Sequence, residues 1–264
     1  MKLCSIASGS SGNCIYIGND NTNLLVDVGI SGKRIERGLC SIDVDPKSID
    51  GILITHEHSD HVSGLGVMAR RYGVPIYGTR QTIQSILQIK SIGKIEDDLF
   101  RCIDPDESFE INDMVVNPFS ISHDASNPVC YTFHSNGQKI GVATDLGKYD
   151  DYIISSLKNS DVLLLEANHD VNMLQVGSYP YYLKKRILGD KGHLSNDNSG
   201  RLICELLHDK LKYVFLGHLS NENNYPELAY ETVKVELESN HQDIMAHMSL
   251  KVAKREEPSD YIMI

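Results

Sequence analysis

Residues 55–61 read Thr55-His56-Glu57-His58-Ser59-Asp60-His61, directly after the apolar run Gly51-Ile52-Leu53-Ile54. Three imidazoles and two carboxylates in so short a stretch far exceed a chance density of metal-ligating groups. A solvated charged loop is the plain alternative. The position of the cluster argues against it, because ligand sites of α/β sheets gather beyond the carboxyl ends of strands. In an extended stretch, residues two apart point to one side, so His56 and His58 can share one ion. Asp60 and His61 lie past the bend and can reach a second. Imidazole with carboxylate suits zinc, manganese or iron alike, so the donor set does not choose the metal.

Outward from this loop the chain alternates short strands and helices. Residues 2–7, 14–18 and 23–27 read as strands, with Gly9-Ser10-Ser11-Gly12-Asn13 and Asn19-Asp20-Asn21 as turns between them. Ser31 can cap a helix to about Cys40, and Val62–Tyr72 looks helical up to Gly73. A strand at 74–77 and a helix at 79–87 follow. Residues 99–143 switch to β-type runs. Strands at 161–166, 213–217 and 248–252 then alternate with helices at 179–188, 195–208 (Ser195 capping) and 226–238. No Pro/Gly/Ser-rich linker or repeat interrupts this order. The expectation is one α/β domain over residues 1–264, with two mixed β-sheets face to face and helices outside, an αββα sandwich.

The net charge of −11 argues against a surface that grips nucleic acid indiscriminately, without excluding a local basic groove. Six scattered cysteines, with no C-x-x-C pair, suggest neither a zinc-thiolate site nor a disulfide framework. No apolar run reaches a membrane span. The expectation is no membrane attachment and a reduced cytoplasmic setting; the oligomeric state is open.

The T-H-x-H-x-D-H motif after a buried strand resembles the signature of the metallo-β-lactamase superfamily, and the superfamily's other motifs occur in order. Asp27 ends NLLVD, His123 sits in SISHD, Asp145 ends IGVATD, and His218 ends YVFLGH. The resemblance implies two divalent ions, zinc or manganese, with iron as a further option. The first would take His56, His58 and His123, and the second Asp60, His61 and His218, with Asp145 bridging. Asp27 would be no ligand but a support for the His loop. Standing alone, His123 reads first as an ordinary loop histidine, Asp145 can be a turn residue before Gly147, and His218 is evenly balanced between a ligand and a plain strand end.

Two later segments narrow the resemblance. DVLLLEANHD (161–170) and DKGHLSNDN (190–198) are similar to the phosphodiesterase branch, in which a Glu-Ala strand end supports a non-ligand histidine facing the scissile phosphate. Glu166 and His193 match those roles. SGSSGNC, EANHD, YPYYLKKRI, GHLSN and LGHLSNENN together resemble the bacterial YycJ (WalJ) family of metal-dependent hydrolases and DNA exonucleases. The large β-CASP insertion of related nucleases does not fit between Asp145 and His218.

The resemblance implies a phosphodiesterase acting on nucleic acid, DNA before RNA or a small phosphodiester. Metal-activated water attacks, Asp60 orients it, and His193, held by Glu166, serves the leaving oxygen. Thioester or amide hydrolysis, as in glyoxalase and lactamase relatives, is the competing chemistry. Lys184, Lys185 and Arg186, with Lys191 and Tyr179, Tyr181 and Tyr182, are either a solvated helix face or a grip on phosphates and bases. Ser11 and Asn13 are either part of a tight turn or phosphate-binding groups at the rim. His169 is a candidate pocket residue, whereas His134, His208, His241 and His247 lie outside any motif.

Overall fold

The computed structural model describes residues 1–240 and 244–264; His241 lies outside the described residues. The chain separates into two compact units. Unit 1 comprises Met1–Ser120, Ala125–Asn136 and Lys254–Ile264, and unit 2 comprises Ile121–Asp124 and Gly137–Ala253. Each unit is assembled from interleaved stretches of chain, so no linker marks the division.

Unit 1 holds β1 (Lys2–Ala7), β2 (Cys14–Gly18), β3 (Asn23–Val26), β4 (Gly51–Leu53), β5 (Ile76–Thr79), β6 (Phe100–Ile103), β7 (Phe109–Ile111), β8 (Met114–Ser120) and β9 (Val129–Ser135). Unit 2 holds β10 (Gln138–Ala143), β11 (Val162–Glu166), β12 (Tyr213–Gly217) and β13 (Ser249–Val252); the short β14 (Ile262–Met263) returns to unit 1. The strands form two mixed sheets. Helices α1 (Gly32–Ser41), α2 (Ser59–Val62), α3 (Leu65–Tyr72) and α4 (Arg80–Leu87) belong to unit 1. Unit 2 carries α5 (Asp151–Leu157), α6 (Val171–Val176), α7 (Tyr181–Ile187), α8 (Asn196–Leu206), α9 (Pro226–Asn240) and α10 (Ile244–His247).

In unit 1 the order β14-β1-β2-β3-β4-β5-β6 is antiparallel as far as β3 and parallel beyond it. Val26 lies opposite Leu53, so Asp27 and Thr55 emerge at the same end of neighbouring parallel strands. Ile35, Leu39, Ile52, Ile54, Met68 and Ile76 pack beneath them with no more than a trace of exposure, each worth about 1.5–3 kcal/mol of apolar burial. In unit 2, β10-β11-β12-β13 is fully parallel, with Ala143 opposite Leu165 and Glu166 opposite Gly217. Asp145, Glu166 and His218 therefore leave adjacent strands at one edge, where α/β sheets place their ligands.

Two local expectations shift. The helix expected over 62–72 is broken: α2 ends at Val62 and α3 starts at Leu65. Any Cβ at Gly64 would collide with the Ile30 and Val28 carbonyl oxygens, so close backbone packing interrupts the helix there. The strand expected at 74–77 lies at Ile76–Thr79, in parallel register with β4. Ser31 occupies the cap position of α1 without its hydroxyl making the bond, whereas Ser195 accepts from the Asn198 amide as expected of a cap.

Candidate functional site

The His-rich loop of unit 1 is held by backbone before any side chain acts. Val28 donates to the His61 carbonyl at 2.8 Å, Asn13 to the Asp60 carbonyl at 2.8 Å, and Gly64 to the Val28 carbonyl at 2.8 Å. Gly29 permits this approach, because a Cβ there would overlap the Asp60 carbonyl oxygen.

Asp27, buried and just past β3, accepts the Thr55 amide on Oδ1 at 2.9 Å and the Thr55 hydroxyl on Oδ2 at 2.8 Å. His61 donates Nδ1–H to the same Oδ2 at 2.7 Å, which sets its tautomer and leaves Nε2 for a ligand. Thr55 Oγ1 also lies 3.0 Å from His56 Nδ1, so the outward nitrogen of His56 is Nε2. That nitrogen sits 3.1 Å from His58 Nδ1, and His61 Nε2 sits 3.3 Å from Asp60 Oδ2. Glu57, within the same motif, faces elsewhere and accepts the Ser126 amide and hydroxyl.

Unit 2 gathers its own set. His123 donates Nδ1–H to the Gly192 carbonyl at 3.1 Å, which leaves Nε2 3.8 Å from Asp145 Oδ1. His218 Nε2 is 3.4 Å from the same oxygen. Burial pushes the pKa of His123 down despite the nearby Asp145 carboxylate, so its imidazole is neutral, the form that ligates.

Glu166 is the hub of this set. Its Oε1 accepts Nδ1–H from His193 and from His218, both at 2.8 Å; Oε2 accepts the amides of Leu146 at 2.9 Å and Leu194 at 3.0 Å. Complete burial works against its charge, but the His193 and His218 imidazoles outweigh that and hold it well below the carboxylate range. His193 keeps 16% side-chain exposure where Glu166 has none. The sequence reading paired Glu166 with His193 alone; the structure adds His218.

Two nitrogen or oxygen ligands of a tetrahedral zinc, each about 2.0–2.1 Å from it, stand roughly 3.3 Å apart. The pairs His56/His58, Asp60/His61 and Asp145/His218 stand 3.1, 3.3 and 3.4 Å apart. The residues present thus fit divalent metal both in donor chemistry and in spacing within each unit.

Other sequence candidates fall differently. Asn13 is fully buried, and its amide lies 3.5 Å from Asp60 Oδ2 and 3.3 Å from His61 Nε2; it fastens the His loop rather than standing at a rim. Ser11 is exposed. Lys184 spends its ammonium on the Gln175 and Gly177 carbonyls at 2.8 and 2.6 Å, and Arg186 forks onto Asp124. Lys185 is exposed and makes no ion pair with any described residue. His169 is buried, and neither ring nitrogen has a hydrogen-bond partner among the described residues; burial lowers its pKa to about 4. Sequence reasoning missed Thr55, whose hydroxyl ties Asp27 to the His loop, and Asn168, whose amide donates to the His218 carbonyl at 2.9 Å. A hydroxyl directly before the His motif and the Asn of EANHD were the available signals.

The model of the Beta-lactamase superfamily domain matches residues 22–215. Exodeoxyribonuclease WalJ of Streptococcus pneumoniae serotype 2 (strain D39 / NCTC 7466) is 41% identical over 232 residues, covering 88% of this chain and 86% of that protein. Exodeoxyribonuclease YycJ of Bacillus anthracis is 40% identical over 233 residues, covering 88% of each. Among solved structures, Zn(2+)-bound PqqB from Methylobacterium extorquens superposes with a TM-score of 0.72 at 16% identity, covering 98% of this chain and all of that one. At that identity the likeness speaks for the fold. The chain belongs to the metallo-β-lactamase-fold hydrolase superfamily, in the family that includes WalJ and YycJ.

Proposed function

We propose that the chain is a metal-dependent exodeoxyribonuclease of the reduced cytoplasm, one domain in function, whose two divalent ions are zinc or manganese. The observation that carries this reading is the buried Glu166 carboxylate, which orients a ligand histidine, His218, and a more exposed non-ligand one, His193, through the same oxygen. The pair matches the Glu-supported histidine of the phosphodiesterase branch, which glyoxalase and lactamase relatives usually lack. The 40–41% identity to exodeoxyribonucleases across 88% of the chain supports DNA as substrate.

In this reading His56, His58 and His123 would hold one ion and Asp60, His61 and His218 the other, with Asp145 available to both. Bound metal would supply a water of lowered pKa and positive charge for the phosphoryl oxygens. The rest falls to the chain's own residues. Asp60 orients the attacking water. Glu166 holds His193 at Nδ1, so Nε2 delivers the proton to the leaving oxygen, which needs that proton as the P–O bond breaks. Asp27 and Thr55 keep the His loop in shape. None of the six cysteines is in a disulfide, in keeping with a reduced compartment.

The test joins metal analysis to digestion of end-labelled single- and double-stranded DNA and RNA, with bis(p-nitrophenyl) phosphate, S-lactoylglutathione and nitrocefin alongside. About two divalent ions per chain and DNA shortened from an end are expected. His193→Ala should retain its metal and lose about 10²–10⁴-fold in kcat. Turnover of S-lactoylglutathione or nitrocefin with no phosphodiesterase activity would reject the proposal, and metal loss in His193→Ala would make His193 a ligand.

A further inference from the structure

The stretch that leads to His193 is unlike the rest of the molecule. The chain carries a net charge of −11, yet residues 171–189 contain no Asp or Glu and three cations, Lys184, Lys185 and Arg186. The same stretch leaves large apolar surface in solvent: Val176 is 86% exposed, Tyr181 80% and Tyr182 74%.

α7 is nevertheless firmly seated. Lys184 ties its middle to the carbonyls of Gln175 and Gly177. Arg186 clamps Asp124, the neighbour of His123. The Ile187 carbonyl accepts the His193 amide at 3.0 Å. Two of the three cations are therefore spent on holding the helix, and what it offers outward is Tyr181, Tyr182 and Lys185. Residues three and four apart share a helix face, so Lys185 lies beside both rings. The five residue steps from Tyr182 to Ile187 span roughly 7.5 Å of helix axis. A strand end seated at His193 would present to the rings its neighbouring nucleotides, not the reacting one.

Charge chooses the occupant. A second copy of this chain would bring its own excess of acid to the face, whereas a nucleic acid strand brings phosphates for Lys185 and flat bases for the tyrosines. Bases inside a duplex already stack on each other; those at a strand end, paired or not, have a face to give. We propose that Tyr181, Tyr182 and Lys185 form a stacking platform on α7 that seats the nucleotides next to a DNA strand end beside His193. The proposal rests on the nuclease reading above and names the residues that position its substrate.

The test is the Tyr181→Ala/Tyr182→Ala variant of the metal-loaded full chain, assayed on a single-stranded oligonucleotide. Turnover of bis(p-nitrophenyl) phosphate, which has no flanking base, reports the reaction centre, and DNA values are taken relative to it. The KM for the oligonucleotide should rise about 5- to 100-fold while kcat holds. Tyr181→Phe/Tyr182→Phe should restore the wild-type KM, because the ring is kept. Lys185→Ala should flatten the dependence of log KM on log salt by about 0.7. An unchanged oligonucleotide KM in the double alanine variant, with the wild type active on DNA, overturns the platform alone. So does a dimeric wild type that the same variant makes monomeric at unaltered KM, which would assign the face to a contact between copies. A wild type that cleaves the small ester but no DNA removes the nuclease reading, and the platform with it.

Discussion

Asp27, Asp145 and His218 share a backbone property that no composition reports: each has positive φ, at 58°, 60° and 55°. Each stands just past a strand, and the left-handed turn re-aims the side chain after the strand has set its height. Such a conformation costs a non-glycine residue roughly 1 kcal/mol or more and persists where the surroundings over-determine it, often at functional sites. Glu166 is over-determined in another way, with four donors converging on two oxygens. Glu166→Gln replaces one acceptor with an amide donor and leaves at least one of those buried donors unpaired. Because Glu166 orients both His218 and His193, this variant should weaken metal binding about 10- to 100-fold and lower kcat as well. Equilibrium dialysis against zinc checks it; wild-type affinity in the variant would show that the hydrogen bond to His218 does not matter to the metal.

At the scale of elements, the β2–β3 hairpin is pinned at its tip. Asp113, in the turn before β8, accepts from the side chains of Asn21, Asn19 and Thr22, each at 2.8 Å. These bonds, led by Asn21, pull the Asp113 pKa down to about 2, below the ~3.9 of an unfolded chain. A carboxyl lowered in the folded state adds stability that is fully present above the unfolded pKa and is lost as pH falls through the folded one. The stabilisation should therefore fade between about pH 4 and pH 2. In Asp113→Asn the urea midpoint should be lower at neutral pH and fall less across that window than in the wild type. Parallel curves for the two proteins would show that the hairpin pin carries no linkage.

For the whole molecule, among the described residues no helix is long and apolar enough to cross a membrane. Metal that binds the folded chain adds stability by mass action, about 2.7 kcal/mol at a free concentration of 100 Kd. For a chain of this size that corresponds to roughly 5–10 °C in Tm. Chelation at neutral pH should lower Tm by that amount, and readded zinc or manganese should restore it. A Tm indifferent to chelator, in a sample shown to have lost its metal, would place the proposed metal donors outside the energetics of folding.

How much of this was legible beforehand depends on how local the signal is. The His loop, the strand ends carrying Asp27, Asp145 and His218, and the helices with ordinary caps or apolar stripes could be read from neighbours in the chain, because spacing and turn chemistry act over a few residues. The break between α2 and α3 could not, since it comes from the packing of Gly64 against carbonyls more than thirty residues away. Nor could the sharing of Glu166 by His193 and His218, the burial of Asn13 against Asp60 and His61, or the commitment of Lys184 and Arg186 to anchoring α7. Apart from Lys184, whose partners lie 9 and 7 residues back in the chain, each is a choice of partner across long sequence separation. The identity of a donor is written at its own position, but its partner is settled only when parallel strands come into register and bring distant positions within hydrogen-bonding reach.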